Sequence, residues 1–472
     1  MTTTNGQRCF IIAPVIWNSY KNKSPRYNDQ LLAAFAVLSG FFIFIGYKFR
    51  ESSNNDSKPA SGTGNGGRKM NLADMLSYAD IGQLSRIATT YHCECNGNSK
   101  NDLIQSILST VNRRDVFEAQ IGGMKLEDLR FINSLLFDAR DAFSLEELVA
   151  RVQQSKFGVS SVESESVSSE QVISHKTAQK KSTKRMKATK EKQIPETGPR
   201  ETIARFKQYG WLFNGFAGHN RYLFQVPTDL KERFKATMER RFVSQVTYAD
   251  GEPDAYRDEQ LLMGDDVLQL LHYIQHNEIP LTSDGVMYRR NILQILDLFG
   301  VKEQLPARGE WRFGYGRRIK DYPNRLALLY DYCYFKGWIE ETSRFLTLTA
   351  LGKERQTHRI PEQPDKIYQF WIRLYRGPIP NIKSIVHWID KLSQHWVNAE
   401  TLTLALTPYI KPFYYDQPET IIEQRLIGMM MHLGILRIGE HNEQRQVIRM
   451  TPMGKSIVAG LSIDDDTIIL NS

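Results

Sequence analysis

Apolar residues recur at helical spacing along most of the chain, and glycine, proline and asparagine clusters punctuate them. Leu72, Met75 and Leu76 open the pattern. Asp80 stands where it can cap a helix carrying Ile81, Leu84, Ile87, Ala88 and Tyr91 on one face. Asn96-Gly97-Asn98 forms a turn, and Ser99 caps a helix with Leu103, Ile104, Ile107 and Leu108 inward. Further helices are predicted over 116–121 and 126–137. Ser144 with Glu147 makes a capping box ahead of Leu148 and Val152. Residues 70–157 therefore read as a helical domain.

The C-terminal half mixes both periods. A short amphipathic helix covers 201–209, and Trp211-Leu212-Phe213 and Tyr222-Leu223-Phe224 flank a turn, which predicts a hairpin. A helix over 227–241 completes a connector, residues 198–260. Two stretches beyond it repeat each other. Gly337-Trp338-Ile339 leads through a polar turn to Leu348-Thr349-Ala350-Leu351-Gly352-Lys353. Gly434-Ile435-Leu436 leads likewise to Met450-Thr451-Pro452-Met453-Gly454-Lys455. Each follows three apolar helical runs. In the first unit, 261–357, these are a helix through Val267, Leu270, Leu271 and Ile274, a helix over 288–299, and a helix over 323–335. A short strand, 279–282, and the turn Ser283-Asp284-Gly285 separate the first two. In the second unit, 358–462, they are 382–396, 399–410 and 418–433. The third helix starts with proline in both units, Pro323 and Pro418, as suits a first turn. Helix, strand, helix, helix and hairpin describe a winged helix. The fold class predicted is mainly α with small β-wings, a helical N-terminal domain being followed by tandem winged-helix modules.

A winged helix points to nucleic acid, although it also serves in protein docking. In helix-turn-helix geometry the third helix enters the major groove N-terminal end first, which nominates Asn324 and Arg325. The second unit carries Glu419 and Glu423 there, beside Arg425, so a structural or protein-contacting role is expected of it. Arg308, Arg312, Arg317, Arg318 and Lys320 precede the third helix of the first unit, with Trp311, Phe313 and Tyr315 interleaved. Basic residues among aromatics suit backbone contact and base stacking. The plain alternative is an irregular loop whose aromatics pack inward. Arg289 and Arg290 open the second helix, where they can anchor phosphates or simply be exposed.

Two resemblances sharpen these expectations. Met70-Asn71-Leu72, Leu84, Ile87-Ala88, Ser99-Lys100 and Leu103-Ile104 to Ile107-Leu108 resemble the small SAP-like domain at the N-terminus of transcription terminator Rho. This covers about forty residues, mostly apolar positions. It implies a helical unit that touches nucleic acid, with Arg86 and Lys100 as natural phosphate contacts. The alternative is a structural hairpin with Lys100 solvated. Phe224-Gln225-Val226-Pro227, Pro280-Leu281-Thr282 with Asp284-Gly285 and Arg290, and Leu346 to Thr349 with Gly352 are similar to the helicase-associated region of XPB-type helicases. That likeness implies an accessory nucleic-acid-associated module without its own motor.

Composition adjusts the picture in three places. The 472 residues carry a formal charge of +8, but eight Lys/Arg against one acid fall between Lys176 and Lys192. The linker 158–197 is Ser- and Lys-rich, with too little apolar content for a core, and is expected to be disordered. Lys184 and Arg185 would touch nucleic acid there if the tether is more than a solvated spacer. The four cysteines are too few and scattered for a disulfide framework, and His92-Cys93-Glu94-Cys95 lacks a second ligand pair for zinc. Gly454-Lys455-Ser456 mimics the end of a phosphate loop, but Arg449 stands where its earlier glycine belongs. Gly314-Tyr315-Gly316 lacks a third glycine. The expectation is a non-enzymatic protein without cofactor or metal. Its partners are DNA or RNA, with a protein partner on the second unit. The tail, 463–472, reads as acidic and solvated.

The N-terminus leaves two readings open. Leu31 to Tyr47 is uncharged and apolar, at the short end of a membrane span, between Lys21, Lys23 and Arg26 and Lys48 and Arg50. Residues 1–69 then form a single-pass anchor and tether holding cytoplasmic domains. Alternatively, Gly66-Gly67-Arg68-Lys69 reflects a purine-rich ribosome-binding site ahead of a native start at Met70. The protein is then cytoplasmic and has no membrane partner. If Met70 is the start, mass spectrometry of the endogenous protein finds no peptide from residues 1–69; such a peptide would exclude it.

Overall fold

Short polar side chains fix the starts of four helices in the N-terminal block. The computed structural model describes residues 70–464 and 467–470, apart from positions 139, 141, 159–197, 217, 219–220, 308–314 and 442–444. The apolar run at 31–47 and the linker cations Lys184 and Arg185 lie outside the described residues. Lys69–Ser472 is one compact unit. Asn71 caps α1 (Leu72–Tyr78) by accepting from the Asp74 amide at 2.8 Å. Asp80 caps α2 (Ile81–Thr90) through the Gln83 amide at 2.7 Å, and Ser99 caps α3 (Lys100–Val111). Then come α4 (Arg114–Gly122), α5 (Leu126–Leu136), β1 (Ala142–Phe143) and α6 (Leu145–Ser155). Ser144 caps α6 as expected, but the expected box is half made. The Glu147 carboxylate turns to Arg140 and Arg151, at 2.5 and 2.9 Å, because a guanidinium is a stronger donor than a neutral amide.

The connector completes this block. It comprises α7 (Pro199–Gln208), β2 (Phe213–Asn214), β3 (Phe224–Gln225) and α8 (Thr228–Val243). The predicted hairpin pairs Phe213 with Gln225, and β1 joins its other side in the order β1-β3-β2. Trp211 is fully buried with Phe117, Phe206 and Phe234 around it, so both segments share one core. The Asp229 carboxylate accepts from the Leu72 amide at 2.9 Å. Asn133 reaches the far half of the chain: Trp388 Nε1 donates to its Oδ1 at 2.7 Å and Ser384 to its carbonyl at 3.0 Å.

The repeated units share a strand order. In the first, α9 (Leu262–His276), β5 (Ile279–Pro280), α10 (Arg289–Leu298) and α11 (Asn324–Phe335) lead to the hairpin β6 (Ile339–Glu341) and β7 (Phe345–Leu348). The sheet order is β5-β7-β6. Two helices follow, α12 (Ala350–His358) and α13 (Pro364–Tyr375). The second unit runs α14 (Ile382–Leu392), β8 (Val397–Asn398) and α15 (Ala399–Leu406). Its third helical stretch is α16 (Pro418–Thr420), a π-helical segment Ile421–Ile427 and α17 (Gly428–His432). β9 (Leu436–His441) and β10 (Arg445–Met450) form its hairpin. β8 pairs with β10 as β5 pairs with β7, so the duplication holds in the pairing. One strand breaks the symmetry: β4 (Ala255–Arg257), from the connector, lies against β9. The tail also departs from expectation, forming the antiparallel pair β11 (Leu461–Asp464) and β12 (Thr467–Leu470). Its Ile468-Ile469-Leu470 run favours extended backbone.

The repeated Thr-x-x-Gly starts a helix and ties it to the one before. Thr349 accepts from the Gly352 amide at 3.0 Å and donates to the Gly337 carbonyl at 2.5 Å. Thr451 does the same with Gly454 and Gly434, at 2.9 and 2.8 Å, at the start of α18 (Pro452–Val458). Gly337 and Gly434 are left-handed, at φ +66° and +69°. A Cβ on Gly352 would lie 2.0 Å from the Trp338 carbonyl oxygen, and one on Gly454 would lie 2.4 Å from that of Ile435. Thr451→Ala is expected to cost roughly 1–2 kcal/mol as a lost cap. Gly454→Ala is expected to cost more, about 2–4 kcal/mol, because the obstacle is backbone. Urea midpoints at unchanged m-value measure both.

Candidate nucleic-acid interface

The helix nominated to enter a groove is a core helix. Every residue of α11 from Arg325 to Cys333 is buried. Arg325 is 0% exposed. Its Nη1 pairs with Asp266 of α9, and its Nε lies 3.3 Å from Glu259. The leading end of α11 is closed by Glu303, whose carboxylate accepts from the Arg325 and Leu326 amides at 2.9 and 3.0 Å. A carboxylate already occupies the place a phosphate would take. The expectation that Asn324 and Arg325 read bases is therefore corrected: Arg325 is inside, and Asn324 is half-buried at the capped end.

The arginine loop divides likewise. Arg318 is 7% exposed; it pairs with Glu341 at 2.8 Å and donates to the Asp284 carbonyl at 3.0 Å. It is a strut between the loop, the Ser283-Asp284-Gly285 turn and β6, and is withdrawn as a phosphate contact. Arg317 faces outward, with its guanidinium on Glu341 at 2.7 Å and 4.2 Å from the Tyr334 ring centroid. Tyr315 is buried, 3.3 Å from Asp416 and packed on Tyr375 and Phe413, so it bolts the two units together instead of offering a stacking face. Arg308, Trp311, Arg312 and Phe313 lie outside the described residues.

Other cations gather at one end of the first sheet. The Leu281 amide donates to the Arg344 carbonyl at 2.7 Å, and Leu281 bridges to Met287, so the turn into α10 sits beside the tip of the β6–β7 hairpin. Arg289 and Arg290 begin α10 there, both exposed. Arg344 is exposed on the hairpin tip, and Arg317 joins through Glu341 at the end of β6. No ion pair forms at Arg289, Arg290 or Arg344 among the described residues. Asp284 is exposed nearby, so the end is mixed in sign. Sequence reasoning missed Arg344; its place in the polar turn of a hairpin was the available signal.

The N-terminal candidates are both on the surface. Lys100, at the start of α3, donates from Nζ to the Ser77 carbonyl at 2.7 Å, in the last turn of α1. That contact complements the negative C-terminal end of the α1 dipole and uses one of its three donors. Arg86 lies on the exposed face of α2, beside Lys207 of α7, a residue the sequence had not singled out. The acidic lead of the second unit stands as read: Glu419 and Glu423 are exposed, and Arg425 pairs with Asp416 at 3.0 Å.

No helix among the described residues is long and apolar enough to cross a membrane. No protein-family model matches the chain, and no curated protein or solved structure does either.

Asp331 holds the arginine loop from inside. Its Oδ2 accepts from the Arg317 amide at 2.7 Å, while Oδ1 is buried without a partner. Burial lifts its carboxyl from 3.8 to about 6, against the amides and charges of Arg317 and Arg318. A raised carboxyl binds its proton more tightly folded than unfolded. Its favourable contribution is complete below pH 3.8 and is lost as pH rises through about 6. Asp331→Asn keeps an acceptor for the Arg317 amide and removes the buried charge. It is expected to raise stability near pH 8 by up to about 3 kcal/mol and to change it little near pH 4. Denaturant melts at the two pH values check the difference.

Proposed function

We propose that this is a non-enzymatic nucleic-acid-binding protein that grips the phosphate backbone of DNA or RNA, in transcription (termination or its regulation) or in replication. The reading rests on one observation: unpaired arginines from separate segments, Arg289 and Arg290 of α10 and Arg344 of the hairpin, converge at one end of the first sheet. Two cations on a helix N-terminus oppose its dipole, and no carboxylate relieves them among the described residues. An anion bound there would. The buried α11 favours backbone gripping over base reading in a groove. The helix–strand–helix–helix–hairpin order and the SAP-like likeness agree with a nucleic-acid role, and the setting is cytoplasmic if Met70 is the start.

A second reading belongs to the second unit. Tyr414 and Tyr415 are 69% and 71% exposed, close in sequence to Glu419, which favours a protein contact on that face. On this reading the protein is a docking scaffold, membrane-tethered if residues 1–69 belong to it.

Salt-titrated binding of the full chain to duplex and single-stranded oligonucleotides separates them. Affinity is expected to fall steeply with salt. Arg289→Gln with Arg290→Gln should flatten the log–log slope on duplex by about 1.8, or ~0.9 for each phosphate no longer neutralised. Arg317→Gln should do less, since Glu341 shares its charge, and Arg318→Gln should lower stability instead. Absence of binding to either form at low salt would end the nucleic-acid reading.

A further inference from the structure

The cleft between α2 and α7 is lined by cations and an amide that form no ion pair among the described residues. Gln83 and Arg86 of α2 face Ala204, Lys207 and Gln208 of α7 across a space of about 210 Å³. That is below the roughly 300–1,000 Å³ of small-molecule pockets. It is about seven water volumes at ~30 Å³ each, which suits one compact ionic group with its hydration.

The donors there are unspent. Gln83 Nε2 is buried with no acceptor in hydrogen-bonding distance. Neither Arg86 nor Lys207 forms an ion pair among the described residues. Asp80 is the near carboxylate, and its Oδ1 is engaged in capping α2. The Lys207 stem is held in place, with its Nζ 5.6 Å from the Phe224 ring centroid. Burial, and after it the Arg86 charge, push the Lys207 ammonium below its ordinary value. Two cations thus face each other at a half-buried site, and neither forms an ion pair with Asp80, the capping carboxylate that acts on Lys207. Close like charges of this kind are a cost in the free protein that a bound anion reverses.

We propose that the α2–α7 cleft binds one phosphate group of a nucleic-acid backbone, with Arg86 and Lys207 supplying charge and the Gln83 amide a neutral donor. This rests on the nucleic-acid reading but uses a site on different elements from Arg289 and Arg290. Phosphate contacts from both would place the protein on its ligand through two separate grips.

The test uses the full chain, a fluorescent oligothymidylate and a salt series read by anisotropy. Lys207→Gln is expected to weaken binding about tenfold, the scale of one charged hydrogen bond. It should also flatten the log–log salt slope by about 0.7, the value for one phosphate on a single strand. Arg86→Gln should act similarly, and Lys207→Arg should restore both readouts while controlling for folding. Inorganic phosphate should displace the oligonucleotide from the wild type better than chloride of equal ionic strength, and lose that advantage in Lys207→Gln. Wild-type affinity and slope in Lys207→Gln and Arg86→Gln, with binding lost on neutralising Arg289 and Arg290, overturns the cleft and leaves the proposed function standing. Phosphate shielding Lys207 from acylation in a protein that binds no oligonucleotide overturns the backbone as the source, and assigns the cleft to a free phosphate.

Discussion

A buried ionic cluster sets the relation between the two repeated units. Glu259 of the connector is its hub. It takes Arg325 of α11 at 3.3 Å, His432 of α17 through Nδ1 at 3.0 Å, and Arg257 at 2.5 Å. Asp266 of α9 holds the other side of Arg325 and accepts from the Gly300 amide at 2.9 Å. Burial alone would raise the Glu259 carboxyl, but His432, with Arg257 and Arg325, outweighs it and holds it below the ordinary range. Arg325 and the Gly300 amide do not outweigh the burial of Asp266, and its carboxyl is raised. Such a cluster adds little net stability over an apolar core, yet losing one member strands the others at roughly 3–5 kcal/mol. Its role is positional: Arg325 ties α11 to α9 and to the connector, and Glu259 carries the tie on to the second unit through His432.

That constraint decides what the first unit can offer a ligand. A third helix locked at the centre has no face left for a groove. The arginines around it sort by burial into struts, Arg318 and Arg325, and surface groups, Arg289, Arg290, Arg317 and Arg344. The surface set is carried by a helix start, a loop and a hairpin tip. Rigid elements behind each of them fix where the charges stand.

Much of the fold was legible because its signals are local. Asp80, Ser99 and Ser144 mark helix starts by side-chain chemistry alone, and the paired Gly and Thr-x-x-Gly positions mark the ends and beginnings of the repeat. The mainly helical class with small antiparallel sheets followed from these. β1 and β4 were hidden because two or three residues carry no period. α13 was readable from Ile367, Phe370 and Trp371 but lies ahead of the three helices that repeat in the second unit. The misplaced groove helix had its own warning. Leu326-Ala327-Leu328-Leu329-Tyr330 and Tyr332-Cys333 are apolar all round, which is the mark of a helix buried on every side. Lys207 had no local mark, since its meaning lies in Arg86, far away in sequence.

The strand β4 makes the two hairpin edges of the duplicated unit unlike. Two modules cut to one plan present the same hairpin edge twice, and like edges invite pairing within a chain and exchange between chains. In the second sheet the outer edge of β9 is covered by β4. In the first, β6 is the end strand among the described residues and bears the exposed Glu340, while Glu341 beside it is engaged by Arg317 and Arg318. One edge is closed by backbone and the other guarded by charge. The unequal treatment removes the self-complementarity that the duplication would otherwise have created.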